Sequence, residues 1–377
     1  MASISKKRAR AAIGRSVPPA AVAEFATRLR NGLERSHTGM APPFVVVLER
    51  LFGLIDNRLL AIAVDLEIPD RLHETKMTIA ELAAATGADA DSLERMMRYL
   101  VSRGIFRHVP DDRYANNAVS DCIRKDHPWS WRDWVRFFGS DWNMRIWTQA
   151  RHSVMTGESA AVAATGHDFF NYVNEEDPAA GDVFNGAMTS GSRVQGLLVQ
   201  EAYDFRNVTH VCDVGGGAGA ILADLLEVNP HLKGTLFELP AVAEAAKEHL
   251  GARGLLDRCT IAPGDFFVSV PAGCDLYTLF AVVHDWGDED AHRILANIRK
   301  ASGQSGKVLV IEGVLPQDDR YSFTKSSDML MLVLAGAGKE RYQHEFESLF
   351  SRAGFRLTKT IKLPSLFRIF ELTPVES

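Results

Sequence analysis

The sequence predicts an α/β protein. A C-terminal Rossmann-like domain, with a mostly parallel sheet and a terminal antiparallel hairpin, follows a mainly α-helical N-terminal winged-helix domain. Three observations carry this reading. From Thr209 onward, short apolar strands alternate with segments of helical period, as in βαβ units. Residues Val211–Gly219 read VCDVGGGAG, a strand running into a glycine turn. Residues 78–115 read as two short helices followed by a strand pair.

The chain has 377 residues, enough for two domains with full cores. Hydrophobic residues make up 46% and charged residues 24%, an ordinary globular balance. A net charge of −6 argues against a protein devoted to nucleic acid. Cys122, Cys212, Cys259 and Cys274 lie in apolar contexts, and none forms a CxxC. They read as free thiols of a reducing, cytoplasmic compartment. No His/Cys cluster has zinc spacing, so no metal is expected. No segment has the length and apolarity of a membrane span.

Residues 1–40 read as a basic, flexible tail with Lys6, Lys7, Arg8, Arg10 and Arg15. Residues 41–125 form the expected winged-helix dimerisation domain. It opens with Phe44–Ile68, which has the period of one long helix that is apolar almost all round. Such a helix is buried on several sides, which predicts a homodimer. Thr78-Ile-Ala-Glu81 and Asp91-Ser-Leu-Glu94 read as capping boxes of the next two helices. Ile105–Val109 and Arg113–Ala115 read as the strand pair. Arg95, Arg98 and Arg103 share the second helix region with Asp91 and Glu94, too mixed a charge for a DNA-reading face. Residues 126–200 read as a helical linker and acceptor-pocket region. Trp129–Tyr172 carries five of the six tryptophans, Trp142 among them, and suits either a dense core or an aromatic wall for a flat ligand.

Residues 201–377 form the expected cofactor-binding catalytic domain. Strands are predicted at Thr209–Val214, Lys233–Glu238, Arg258–Ala262, Leu276–Leu279 and Lys307–Val314, with a hairpin of Phe355–Lys362 and Leu366–Leu372. Asp213 ends the first strand. Gly215, Gly217 and Gly219 let the backbone turn sharply and approach a ligand. Glu238, about 20 residues on, suits a carboxylate accepting both ribose hydroxyls. The turn fits an S-adenosylmethionine (SAM) cradle and, read literally, also a dinucleotide one. The terminal hairpin favours SAM.

His284, in Ala281-Val-Val-His-Asp-Trp286, falls after the fourth strand, at the ligand-binding edge of an open parallel sheet. A histidine there can serve as a general base near neutral pH. Glu312 in VLVIEG and Glu340 in GKER could each fix its tautomer by accepting the second ring N–H.

With these residues in view, the chain resembles the plant-type, caffeic-acid-like SAM-dependent O-methyltransferases and their bacterial natural-product relatives. The resemblance runs from about Val45 to Leu372, through IPDRL, FNGAM, DVGGGAG, LFELP, GDFF, HDWGDED, IEGVLP and GKERYQHEFESLFSRAGF. It implies that His284 is the base, oriented by Glu312 and Glu340, with Asp285 near the acceptor hydroxyl. It places Gly215 and Gly217 at the methionine end of SAM, Glu238 at the ribose, and Asp265, Phe266 and Trp286 at the adenine. Met188 and Ser192 match the junction of SAM and substrate, and Met331 matches the acceptor pocket. The chain departs from the plant pattern in three places. Glu238 replaces the commoner Asp, Phe280 replaces a lysine near the cofactor, and Ala335 replaces a polar substrate contact. The implied activity is methyl transfer to a hydroxyl of a small aromatic or polyketide-like molecule, releasing S-adenosyl-L-homocysteine. Three alternatives remain open here: C- or N-methylation or non-methyl chemistry on the same scaffold, an NAD-dependent dehydrogenase, and a SAM-responsive winged-helix regulator.

Overall fold

The computed structural model describes residues 18–375. The chain forms two units. The larger joins residues 18–32, 149–170 and 192–375, and the smaller joins residues 33–148 and 171–191. No helix among the described residues is long and apolar enough to cross a membrane.

In the smaller unit, three strands, β1 (Met77–Thr78), β2 (Phe106–Val109) and β3 (Arg113–Asn116), form a sheet of order β1-β3-β2. Two helices precede the β2–β3 pair. Thr78 and Glu81 cap the first reciprocally, Thr78 N–H donating to Glu81 Oε2 at 2.7 Å. The second starts two residues before the expected place. Asp89, not Asp91, caps it, accepting from Ser92 N–H at 2.9 Å. Leu82, Leu93, Met97, Leu100 and Phe106 bury their side chains in one core with Ile68 and Leu72.

Two N-terminal expectations are corrected. The expected flexible tail is helical over Ala20–Met40; residues 1–17 lie outside the described part. Alanines, leucine and arginines favour that helix, Pro18-Pro19 precede it, and Glu24–Arg28 forms an i,i+4 ion pair at 2.5 Å. The expected single helix over Phe44–Ile68 breaks at Phe52 into Pro43–Leu51 and Gly53–Asp65, where glycine lowers helix stability. Within one chain, Phe44, Val47, Leu48, Leu51, Phe52 and Leu54 remain exposed, Phe44 at 72%. Burial on several sides is therefore not met within a single chain.

The helix Gly53–Asp65 packs closely on Arg132–Gly139. Gly139 is the contact point, because a Cβ there would overlap Ala61 Cβ, and Arg58 donates to the Gly139 carbonyl. Gly139→Val should cost about 1–3 kcal/mol by overpacking. Thermal or denaturant unfolding checks this, and an unchanged midpoint would contradict the close crossing.

The larger unit holds β4 (His210–Val214), β5 (Lys233–Glu238), β6 (Cys259–Pro263), β7 (Leu276–Phe280), β8 (Lys307–Leu315), β9 (Arg341–Tyr342), β10 (Phe355–Lys362) and β11 (Phe367–Pro374). The sheet order is β10-β11-β8-β7-β4-β5-β6, with β9 pairing separately with β8. Strands β4 to β8 are mutually parallel, and β11 runs antiparallel to both β8 and β10. Helices cover both faces, so the central strands read as continuous apolar runs. One face buries Tyr277, Leu279, Ile294, Phe346 and Phe370, and the other buries Leu222, Leu225, Leu236, Leu250 and Ile311. The chain winds from β4 to β5 and β6, then returns to β7 on the other side of β4. The carboxyl ends of β4 and β7 thus flank a topological switch point, where ligands of such sheets bind.

Candidate active site

At the end of β4 the chain turns through Gly215 (φ 70°) and Gly217 (φ 56°), conformations that side-chain-bearing residues rarely adopt. A Cβ on Gly216 would overlap Leu236 and come within 2.5 Å of Asp213 Oδ2. No atom lies within 4 Å of the place a Cβ would take on Gly217, so the turn faces open space. Asp213 is buried and accepts from Thr278 Oγ1–H at 2.7 Å. Burial pushes its pKa up to about 6, against the pull of that hydrogen bond.

Glu238 ends β5 beside the turn. Its Oε2 accepts from Gly217 N–H at 3.0 Å and its Oε1 from Leu239 N–H at 2.8 Å. These donors fix the carboxylate and leave each oxygen a further lone pair. Burial raises its pKa, and the two N–H groups oppose the rise. Two acids beside the glycine turn suit a diol ligand carrying a cationic sulfonium. Asp213, beside the turn, opposes a pyrophosphate.

An aromatic wall stands at the next strand ends. Phe266 and Phe267 meet Trp286 edge-on at centroid distances of 5.9 and 4.7 Å, and Phe170 stacks on it at 6.4 Å. Asp265 is exposed and holds the loop by accepting from Phe267 N–H at 2.7 Å. Asn297 fixes the Phe266 carbonyl at 2.9 Å. The arrangement gives this sheet edge an apolar aromatic wall.

His284 follows β7 in a tight turn after Ala281, whose φ of 52° is unusual for alanine. Its Nδ1 lies 2.7 Å from Glu312 Oε2. The other carboxylate oxygen, Oε1, accepts from the N–H groups of Val282 at 3.0 Å, Val283 at 2.7 Å and His284 at 3.4 Å. Glu312 is wholly buried, so it acts as a rigid acceptor for both the ring and the turn. Because a carboxylate only accepts, the neutral ring carries its proton on Nδ1 and presents an Nε2 lone pair. Nε2 lies 3.5 Å from Asp285 Oδ1.

Glu340, just before β9, is buried, and its Oε2 has no hydrogen-bond partner. Ligand atoms of His284, Glu312 and Glu340 lie within 4.8 Å of one another, a grouping that could hold a metal ion. Of the two glutamates expected to orient the ring, Glu312 bonds it directly, and Glu340 stands beside it. Burial opposes charge on the imidazole, but Glu312, Asp285 and Glu340 outweigh it and pull the pKa up to about 10. Burial raises Asp285 to about 6 and Glu340 to about 7, with the imidazole pulling both down.

Met331 is half-buried on the helix Phe323–Leu334. Met188 and Ser192 lie one turn apart on the helix Pro178–Ala202, Met188 in the smaller unit and Ser192 in the larger. Trp142 goes into the core of the smaller unit. It is 8% exposed and packs against Phe137 at 5.6 Å and Tyr172 at 6.0 Å, the dense core that was one of the two readings of its segment. Phe280 packs on Phe367 at 5.4 Å. Sequence reasoning missed Phe170 and Thr278, which carry no motif, and Arg341, a wholly buried guanidinium in the GKER segment.

The O-methyltransferase domain family matches residues 147–356, and the O-methyltransferase dimerisation domain family matches residues 48–126. The chain belongs to the SAM-dependent O-methyltransferases. It is 40% identical to the mitomycin biosynthesis 6-O-methyltransferase of Streptomyces lavendulae, covering 82% of this chain and 88% of that protein. It is 36% identical to the phenazine O-methyltransferase PhzM of Lysobacter antibioticus, covering 91% and 99%. Among solved structures it resembles the O-methyltransferase NcsB1 from neocarzinostatin biosynthesis, in complex with SAM and 2-hydroxy-5-methyl naphthoic acid. The TM-score is 0.70 at 32% identity, covering 85% of this chain and 96% of that one. The methyltransferase's glycine cradle, paired acids and aromatic wall fit SAM.

Proposed function

We propose that this O-methyltransferase methylates a hydroxyl of a small aromatic or polyketide-like natural product, with His284 as general base. The observation that carries this is the 2.7 Å bond from His284 Nδ1 to Glu312, which leaves Nε2 to face an acceptor. Asp213, Gly215, Gly217, Glu238, Asp265, Phe266 and Trp286 would hold the cofactor, with Met188 and Ser192 beside its reactive end and Met331 in the acceptor pocket. SAM supplies, when bound, an electrophilic methyl group on a sulfonium.

A phenol's pKa lies near 10, so little phenolate exists at pH 7. His284 Nε2 takes the phenolic proton as the oxygen becomes nucleophilic, help worth roughly 10²–10⁴-fold. Asp285, 3.5 Å from Nε2, stands where the acceptor O–H would approach. Glu312 already accepts from three backbone N–H groups and the ring, which favours a proton-holding role over metal ligation.

We further propose a homodimer in the cytoplasm, built through residues 41–125. The exposed apolar residues of Pro43–Leu51 and Gly53–Asp65 and the matched dimerisation domain support it. Residues 201–377 would bind the cofactor, and residues 126–200 would supply acceptor contacts. Sedimentation at micromolar concentration tests the dimer; a stable, active monomer would contradict it.

Turnover should rise with pH. The resting imidazole is protonated below about 10 and must be neutral to act. A cationic sulfonium nearby opposes that charge, so the apparent pKa in the SAM complex should fall below the resting value. The sign for stability is opposite. His284 and Glu340 bind protons more tightly folded than unfolded, so their stabilisation is present at low pH. It is lost through about 7 for Glu340 and about 10 for His284. A pH profile of kcat beside one of melting temperature tests both. A flat kcat profile for wild type, with phenol acceptors and chemistry limiting, would remove the general base.

A further inference from the structure

We propose that Arg341 is a positioning residue for the general base, holding the turn that carries His284 and Asp285 in its reactive geometry. The proposal rests on the general-base reading of His284. Arg341 is 0% exposed, yet its guanidinium does not meet a buried acid. It reaches the backbone of the His284 turn instead. Nη1 donates to the Val283 carbonyl at 2.9 Å, and Nη2 to the Trp286 carbonyl at 2.8 Å. These two carbonyls bracket His284 and Asp285. Nε and Nη2 are anchored in turn by Asp288 Oδ1, at 3.0 and 2.9 Å. The His284 carbonyl accepts from Lys339 N–H at 2.8 Å.

The turn is thus gripped from both sides by opposite charges. Glu312, an anion on β8, takes the N–H groups of residues 282–284. Arg341, a cation on β9, takes the carbonyls of residues 283 and 286. Strand β9 pairs in parallel with β8, Val314 opposite Arg341, so both halves of the clamp share one sheet. Glu340 is the neighbouring residue, which ties its free Oε2 to the same frame. The planar fork matters here. Lysine keeps the charge but offers a single ammonium, which cannot span two carbonyls and Asp288 together. Errors of about 1 Å in a catalytic group can cost roughly 10²-fold.

The test is a double-mutant cycle of Arg341→Lys and His284→Ala in the full-length protein. Readouts are kcat, SAM affinity by calorimetry, and the His284 ring titration by NMR in the cofactor-free protein. Arg341→Lys alone should lower kcat by about 10–100-fold and change SAM affinity by less than about threefold. It should also move the His284 titration toward the ordinary histidine value. In the His284→Ala background the same change should cost less than about twofold, because residues acting through one group are non-additive. An equal loss in both backgrounds, or an unmoved His284 titration, overturns the proposal. A wild-type kcat for His284→Ala itself would instead overturn the general-base reading. If Arg341→Lys does not fold, Asp288→Asn, at a half-exposed anchor, takes its place in the cycle with a smaller loss. Additivity there overturns the proposal equally.

Discussion

His284→Ala lowers turnover by about 10²–10⁴-fold, the range of general-base help, and leaves SAM affinity within about twofold. The two halves follow from separate geometry. The ring is bonded to Glu312 on one side, and Nε2 lies 3.5 Å from Asp285 Oδ1 on the other, the side proposed for the acceptor. The proposed cofactor contacts lie at the ends of β4 and β5, on Glu238 and the glycine turn. The loss should be smallest for acidic phenols, which ionise without help at the assay pH. Glu312→Gln should reproduce part of it, since an amide can present a donor to Nδ1 and select the wrong tautomer. Single-turnover kinetics with saturating SAM separates chemistry from product release. Near-normal single-turnover rates for His284→Ala with a weakly acidic phenol would end the general-base role.

Glu238→Ala weakens SAM binding by about 1.5–3 kcal/mol, the scale of hydrogen bonds to a charged group. In Kd this is about 10–150-fold. Part of the loss comes from the cradle itself, because Gly217 and Leu239 lose the acceptor of their N–H groups. Glu238→Gln keeps one oxygen acceptor and should fall between. NAD should bind neither wild type nor variant, since Asp213 sets negative charge beside the glycine turn, where a pyrophosphate would lie. Calorimetric titration decides both points. Tight NAD binding with none for SAM would overturn the cofactor assignment.

The sheet was legible because parallel strands buried on both faces write themselves as short apolar runs, and all five predicted strands and the hairpin are present within a residue or two. The glycine turn, Glu238 and the HDW segment were legible because each sits at a strand end. The N-terminal helices were less so. Gly53 breaks what periodicity alone joins, and Ala20–Met40 follows the basic stretch Lys6–Arg15, which reads as a tail. Trp142 shows the limit of composition. An aromatic segment serves core and ligand wall alike, and only packing on Phe137 and Tyr172 assigns this ring to the core. Arg341 was hidden because an arginine following Lys339 and Glu340 reads as surface. Its burial depends on carbonyls supplied some 55 residues earlier in the chain.

The central claim is methyl transfer from SAM to an acceptor oxygen. The most direct measurement uses SAM labelled with ¹³C in the methyl group, incubated with phenols, naphthoates and hydroxylated polyketides. NMR of the product then reads the atom that carries the label. The account predicts a labelled O-methyl resonance with one S-adenosyl-L-homocysteine formed per methyl. Label on carbon or nitrogen, or SAM consumed without labelled product, would contradict it.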